Sequence, residues 1–164
     1  MTSAENPQIA ELRAKNQATI EKYLNFPGIG RLECFTDDGV KELTFATHPS
    51  IFNPDCESPI AWSGKEELKE TFIYNADNFR GEWKSPTIYS TQDPNKFWVE
   101  TALDATFLID GKRIPYKQPY YVMSFDMENG LIRKFREIMN PLQVIKTHGC
   151  ENHELLLKRN EPVE

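Results

Sequence analysis

One carboxylate near the end of the sequence stands among apolar residues and is the residue best placed to do chemistry. The alternation around it predicts a strand that turns Phe135, Glu137 and Met139 to the same face. Burying a charged carboxylate among apolar neighbours is costly, so we expect burial to favour its neutral form, a proton donor suited to general acid catalysis. The structural alternative, which the pattern alone slightly favours, is an ion pair with a nearby arginine: Arg136, Arg133 or Arg113.

Other residues of chemically useful types are less informative. Glu100 and Asp104 share a face of another predicted strand, where a solvated sheet surface explains them as well as acid/base chemistry does. The three histidines and three cysteines lack the spacing of a metal site or a disulfide framework. No GxSxG turn and no glycine-rich phosphate loop occurs. We therefore expect neither a metal site nor nucleophilic catalysis.

Composition and charge exclude several classes of function. The chain has 164 residues, a net charge of −6 and a mean hydropathy of −0.59, which suits one soluble domain. Lysine and arginine are scattered, so nucleic acid is not an expected partner. The sequence has neither an apolar run of about 18 residues nor the basic and apolar start of a signal peptide. We therefore expect a cytoplasmic protein.

The first half of the sequence predicts two main helices. The first one ends at Phe26-Pro27-Gly28, and residues 31–36 are predicted as a short helix. Apolar alternation from Val40 to Phe45 indicates a strand, and residues 48–59 form a predicted surface loop. Ser63 is the expected N-cap of the second helix, with Glu66 completing a capping box, and this helix continues to about Asn78.

The second half predicts a four-stranded antiparallel meander. The strands cover residues 81–91, 97–109, 116–127 and 131–139, and hairpin turns are expected at Asp110-Gly111 and Asn129-Gly130. Helices followed by a long sheet indicate an α+β fold in which the helices cover one sheet face. A curved sheet wrapped over helices makes a cone, whose apolar mouth suits a small ligand.

Several motifs resemble a known family. Residues 12–23 (LRAKNQATIEKY), 35–39 (FTDDG), 93–100 (DPNKFWVE), 124–132 (SFDMENGLI) and 136–141 (REIMNP) resemble the phenazine biosynthesis proteins A and B. The resemblance spans about residues 8 to 146. It implies the NTF2-like (cystatin-like) cone that is also found in ketosteroid isomerase and the SnoaL cyclases. Residues 1–148 would form this domain, and residues 149–164 a tail that is flexible or packed on a dimer partner.

The resemblance also implies a reaction, which belongs to antibiotic biosynthesis. Family members help two molecules of an aminocyclohexenone carboxylic acid to condense into the phenazine tricycle, without a cofactor and as homodimers joined by the outer sheet face. The glutamate of the family motif falls on Glu137, which would protonate the ketone or carbinolamine oxygen. Residues expected to line the pocket are Thr71, Tyr74, Asn75, Trp62, Trp83 and Tyr121, with Lys117 or Arg31 meeting substrate carboxylates.

Two departures from the family pattern keep other functions open. B-type members carry a histidine on the second helix, where Thr71 stands here, although A-type members also lack it. A pocket tyrosine of the family is replaced by Lys117. The alternatives are a non-catalytic small-molecule-binding homologue, which would pair with a paralogous subunit, and a SnoaL-like or ketosteroid-isomerase-like enzyme that acts on another ketone.

Overall fold

The structure is a computed structural model that describes residues 5–26, 28–47, 59–144 and 146–147. Its helices are α1 (Pro7–Asn25), a 3₁₀ helix (Gly28–Cys34) and α2 (Gly64–Asn78). Its strands are β1 (Phe35–Thr47), β2 (Pro59–Ser63), β3 (Phe79–Ser90), β4 (Lys96–Ile109), β5 (Lys112–Glu128) and β6 (Leu131–Ile138). Most of the predicted loop, residues 48–58, and the tail, residues 149–164, lie outside the described residues.

All six strands form one open sheet in the order β2-β1-β6-β5-β4-β3. Strands β3 to β6 pair antiparallel with their chain neighbours, which confirms the predicted meander. Strand β1 pairs parallel with β6 and antiparallel with β2. The sheet is therefore mixed, and the first strand along the chain lies directly beside the last one.

The beginning of the sheet corrects the sequence interpretation at three points. Residues 35 and 36 belong to β1 and not to a short helix, and the 3₁₀ helix ends just before them. Strand β2 was not predicted. Ser63 is the N-cap of α2 but its side chain makes no capping bond; its backbone N–H instead donates to a carboxylate oxygen of Glu67 at 2.6 Å, and not to Glu66.

Both predicted hairpin turns have the backbone that the sequence requires. Asp110 and Gly111 have φ angles of 49° and 74°, and Asn129 and Gly130 have φ angles of 53° and 89°. Two successive positive φ angles match the twist of paired strands, and Asp-Gly or Asn-Gly adopts them at little cost. These turns fix the register of β4, β5 and β6.

Aromatic side chains hold helix α1 on the inner face of the sheet. Tyr23 of α1 packs on Phe135 and Phe125 with ring centroids 4.9 and 5.7 Å away. Phe35 contacts Phe72 of α2 at 5.8 Å. All of these side chains are buried, and edge-on or tilted packing of this kind adds stability beyond the area that it buries. Strands β1, β5 and β6 are thus fixed beneath the helices.

In the described part of the chain no helix is long and apolar enough to cross a membrane.

The aromatic cluster predicts that Phe135→Ala is strongly destabilising. Phe135 is fully buried between Tyr23 and Phe125, so its removal leaves a cavity and should lower the free energy of unfolding by about 3–5 kcal/mol. Urea unfolding measures the loss. Leu131→Ala, on the exposed part of the same strand, is the matched control and should cost much less; equal losses would contradict the placement of Phe135 in the core.

Candidate functional site

A cavity of about 520 Å³ lies between helix α2 and the inner face of the sheet. It takes residues from all six strands, from α2 and from the 3₁₀ helix. Eight of the nine predicted site residues line it: Arg31, Trp62, Thr71, Tyr74, Asn75, Trp83, Tyr121 and Glu137. The ninth, Lys117, does not. Eight of the nineteen residues that line this cavity are therefore ones that the sequence analysis named as site residues.

Glu137 reaches this cavity because β6 lies between β1 and β5. Its backbone pairs with Leu43 on one side and Met123 on the other, and alternation turns its side chain to the inner face. Only 10% of the side chain is exposed. A carboxylate at such a position requires polar partners from the neighbouring strands.

Both oxygen atoms of the Glu137 carboxylate have a partner. Tyr121 Oη of β5 donates a hydrogen bond of 2.6 Å to Oε1. Lys41 Nζ of β1 lies 2.8 Å from Oε2, and only 7% of the Lys41 side chain is exposed. Glu137 is thus one member of a buried Lys41–Glu137–Tyr121 triad that spans three adjacent strands. This contact differs from the isolated neutral acid that the sequence predicted.

Glu137 does form an ion pair, which is the alternative that the sequence offered, but its partner is Lys41 and not an arginine. Arg136 points to the other sheet face and pairs with Glu42 and Asp126 at 2.9 and 3.0 Å. Arg133 pairs with Asp38 at 3.2 Å, and Arg113 donates to the Asn78 carbonyl oxygen at 2.8 Å. None of the three arginines binds Glu137.

Sequence reasoning missed Lys41. This residue is in phase with Leu43 on the predicted strand, and a lysine in phase with an apolar face was the available signal. What the sequence did not reveal is the parallel pairing of β1 with β6, which brings Lys41 to Glu137.

Two tryptophans frame the triad. Trp62 lies directly opposite Lys41 in the β1–β2 pair, with the ammonium nitrogen 5.6 Å from the ring centroid. A cation over an indole face is attracted by the ring's quadrupole. At the other end, the Trp83 ring meets the Tyr121 ring edge-on at 5.0 Å. The charged groups are therefore enclosed by flat apolar walls that limit water access.

Tyr121 acts as a hydrogen-bond donor in this environment. Burial, followed by the negative charge of Glu137, raises the pKa of the Tyr121 phenol well above its usual value. The phenol therefore keeps its proton at neutral pH, and its oxygen donates to Glu137.

Helix α2 contributes one polar edge of the cavity. Tyr74 and Asn75 follow Thr71 by three and four residues, about one helical turn, so all three project toward the cavity. The Thr71 hydroxyl donates to the Glu67 carbonyl oxygen at 3.3 Å. Thr71, which the resemblance matched to a histidine of B-type members, thus offers a hydroxyl already bonded to its own helix backbone.

Arg31 places a cation at the cavity. Its Nε donates to the carbonyl oxygens of Phe26 and Tyr23 at 2.8 and 3.1 Å, and the guanidinium stacks on the Tyr23 ring 4.9 Å from the centroid. Among the described residues no carboxylate pairs with it. Its terminal N–H groups are therefore available to an anionic ligand.

Lys117 is turned away from the cavity by an irregularity in β5. The pairing of β4 with β5 shifts between Thr101↔Tyr121 and Leu103↔Gln118, so β5 has one extra residue there. A bulge of this kind reverses which side chains face inward. Gln118 is consequently buried, whereas Lys117 is exposed and lies 3.4 Å from Asp104. This placement gives no support to a role of Lys117 in binding a ligand in the cavity.

Among the residues that the structure describes, no cluster of three or more histidine, cysteine, aspartate or glutamate side chains could hold a metal ion. The polar lining of the cavity consists of the triad, the edge of α2, Arg31, Asp110 and the phenol of Tyr116. Such a set can bind an anion and transfer protons.

A six-stranded open sheet that carries its helices on one face, with a cavity between them, has the architecture of NTF2-like proteins. An NTF2-like protein from Anabaena variabilis superposes with a TM-score of 0.53 at 20% identity and covers 85% of this chain and 95% of that chain. That likeness concerns the fold alone.

The family follows from closer matches. The family model of phenazine biosynthesis protein A/B matches residues 5–160. Phenazine biosynthesis protein PhzB1 of Pseudomonas aeruginosa is 37% identical over 140 residues, which is 83% of this chain and 82% of that protein. The crystal structure of the phenazine biosynthesis-related protein PhzB2 from Pseudomonas aeruginosa has a TM-score of 0.72 at 32% identity and covers 85% of this chain and 88% of that chain. The chain belongs to the phenazine biosynthesis protein A/B family.

The buried tyrosines predict a fall in stability at alkaline pH. Burial raises the pKa of Tyr23, Tyr116 and Tyr121 above the usual 10.0. The unfolded chain loses these phenolic protons near pH 10 while the folded chain keeps them, so the free energy of unfolding contributed by these groups is retained below about pH 10 and falls above it.

Phenolate absorbance measured against pH, in the folded protein and in urea, checks this expectation. In the folded protein Tyr23, Tyr116 and Tyr121 should ionise only when the protein unfolds. Tyr121→Phe should therefore remove one of the late-titrating groups. Simultaneous ionisation of all six tyrosines near pH 10 in the folded state would contradict it.

Proposed function

We propose that this protein is a cofactor-free enzyme of phenazine biosynthesis that condenses two molecules of an aminocyclohexenone carboxylic acid. Glu137 is the group through which a proton reaches the ketone or carbinolamine oxygen. The observation that carries the proposal is a buried carboxylate at the wall of a cavity, in contact with a buried ammonium and a phenol. Membership of the phenazine A/B family supports the substrate class.

The size and lining of the cavity suit this substrate class. Pockets for small molecules hold about 300–1,000 Å³, and this cavity, at about 520 Å³, falls within that range. Trp62 and Trp83 offer flat apolar walls to a six-membered ring. Holding two reactants in one enclosed space removes much of the entropic barrier to their reaction.

Arg31 supplies the charge that a carboxylate substrate needs. Its guanidinium is stacked on Tyr23 and anchored by two backbone carbonyls, so it is preorganised. A carboxylate can then meet a planar pair of N–H donors, which is the strongest form of this contact. Arg31 at the 3₁₀ helix and Glu137 on β6 would thus bind the acid end and the reacting end of the ligand, respectively.

Glu137→Gln tests the proposed chemistry. The amide keeps the size of the side chain but cannot act as a proton donor or acceptor in the reaction. The catalysed rate of phenazine precursor formation from freshly generated aminoketone should therefore fall by roughly 10²–10⁴-fold. Glu100→Gln, on the exposed face of β4, is the matched control and should retain the full rate.

The same assay separates the alternatives. A wild-type rate no higher than the uncatalysed condensation would overturn the proposal in favour of a binding homologue, above all if a tricyclic carboxylate still raised the melting temperature. Turnover of an unrelated ketone, together with no condensation, would favour an isomerase-like or cyclase-like enzyme.

We further propose that the protein is a homodimer joined by the outer sheet face. Tyr89, Trp98 and Tyr120 lie together there and are 44–60% exposed, and both tyrosine hydroxyls reach Glu100, at 3.5 and 3.1 Å. An exposed aromatic group with a polar centre is typical of a protein interface.

The homodimer predicts that Trp98→Glu gives a monomer. The new carboxylate would be buried without a partner beside Glu100, so association should weaken strongly. Sedimentation velocity measures the change, and circular dichroism confirms that the variant folds. Lys69→Glu on exposed α2 should leave the dimer intact. Identical sedimentation of the wild type and Trp98→Glu would exclude this face as the interface.

A further inference from the structure

Glu137 has no oxygen atom left that is free of a protein partner. Oε1 accepts the Tyr121 hydroxyl and Oε2 faces the Lys41 ammonium. Two donors that converge on one carboxyl group are satisfied by the ionised form, which has only acceptors. In the resting site the mobile proton nearest to the cavity is therefore carried by Lys41 and not by Glu137.

Lys41 is also the group with donors to spare. An ammonium carries three N–H bonds, and in the described residues its partners are Glu137 Oε2 and the face of the Trp62 ring. The side chain lines the cavity although it is almost completely buried. A ligand oxygen that enters beside Glu137 thus meets a proton donor with remaining capacity.

We propose that Lys41 is a second catalytic residue of this site, and that Lys41 and Glu137 act as a coupled acid/base pair on a bound ketone. The ammonium donates a proton to the carbonyl oxygen while the carboxylate accepts a proton from the attacking nitrogen. This inference deepens the proposed function and rests on it for the identity of the nucleophile.

The first half of the condensation reverses the protonation states of Lys41 and Glu137. The amine nitrogen of one substrate bonds to the carbonyl carbon of the other, and the C=O π electrons move to oxygen, which takes a proton from Lys41. The nitrogen loses one proton to Glu137. The products are a neutral carbinolamine, a neutral Lys41 amine and a neutral Glu137 acid.

The second half of the condensation restores the original protonation states of Lys41 and Glu137. Glu137 now protonates the hydroxyl group, the C–O bond breaks and water leaves, while the nitrogen lone pair forms the C=N bond. The resulting iminium gives its proton to the Lys41 amine. Ketone and amine have become imine and water with no net gain or loss of protons, and the ion pair is regenerated. Addition and dehydration thus use opposite protonation states of the same two groups.

The coupled pair predicts a simpler reaction that needs no second substrate. With a cyclic ketone carboxylate in the cavity, Glu137 can accept a proton from the carbon next to the carbonyl while Lys41 protonates the oxygen, which gives the enol. In D₂O the reverse step delivers deuterium. The probe is 3-oxocyclohexane carboxylate, and the loss of its proton signals next to the carbonyl, followed by NMR, is the measurement.

Two substitutions of Lys41 separate proton transfer from charge. Lys41→Met removes both the charge and the proton, whereas Lys41→Arg keeps the charge beside Glu137 but does not release a proton at neutral pH. Both should slow deuterium exchange by roughly 10²-fold or more, which is the contribution expected of general acid catalysis. Lys117→Met, on the outer face, is the control and should exchange at the wild-type rate.

Each result decides the inference. Exchange by the wild type at the buffer rate overturns it, and so does Lys41→Arg at the wild-type rate, because the lysine would then act by charge alone. Lys41→Arg keeps an ion-pair partner for Glu137, so it remains informative if Lys41→Met fails to fold. Lys41-dependent exchange without condensation would support the pair while the proposed function fails. Condensation without Lys41-dependent exchange would support the proposed function and overturn the role of Lys41.

Discussion

The burial of a single carboxylate is the constraint on which the arrangement of the candidate site depends. Glu137 is held in an aromatic interior where a charged group must be matched by donors. Its donors, Lys41 and Tyr121, come from the strands on either side of β6, at 2.8 and 2.6 Å. The sheet order β1-β6-β5 is thus what makes the site possible. Lys41 and Leu43 alternate along β1 and pair with Phe135 and Glu137 of β6, so they lie on the same sheet face as Glu137.

The walls around this contact set its strength as much as its distances do. Trp62, opposite Lys41, and Trp83, against Tyr121, close the two ends of the triad and keep much of the bulk water away. Electrostatic interactions strengthen when water is excluded, and preorganised groups need not reorient during a reaction. The aromatic residues that the composition indicates as a core therefore have a second effect, because some of them determine the polarity of the cavity.

The sequence predicted features that depend on neighbouring residues and missed those that depend on distant ones. Alternation alone placed Glu137 on an inner face, and Asp-Gly and Asn-Gly marked both hairpin turns. Lys41 was not predicted because its partner, Glu137, is 96 residues away in a strand that runs parallel to its own. Lys117 was assigned to the pocket, but one extra residue in β5 reverses the alternation at that point. A bulge is a property of two paired strands, so a reading of one strand does not reveal it.

The Lys41–Glu137 ion pair itself contributes little to the stability of the fold. The cost of desolvating two charges commonly cancels their attraction, and two well-packed apolar residues often hold a fold equally well. The aromatic contacts of Tyr23, Phe125 and Phe135 already join the helices to the sheet without it. The pair lies at the wall of the cavity and not within that cluster. This costly arrangement of charge faces a ligand-sized space and is not needed by the core, which is the physical argument for the proton transfer that we propose.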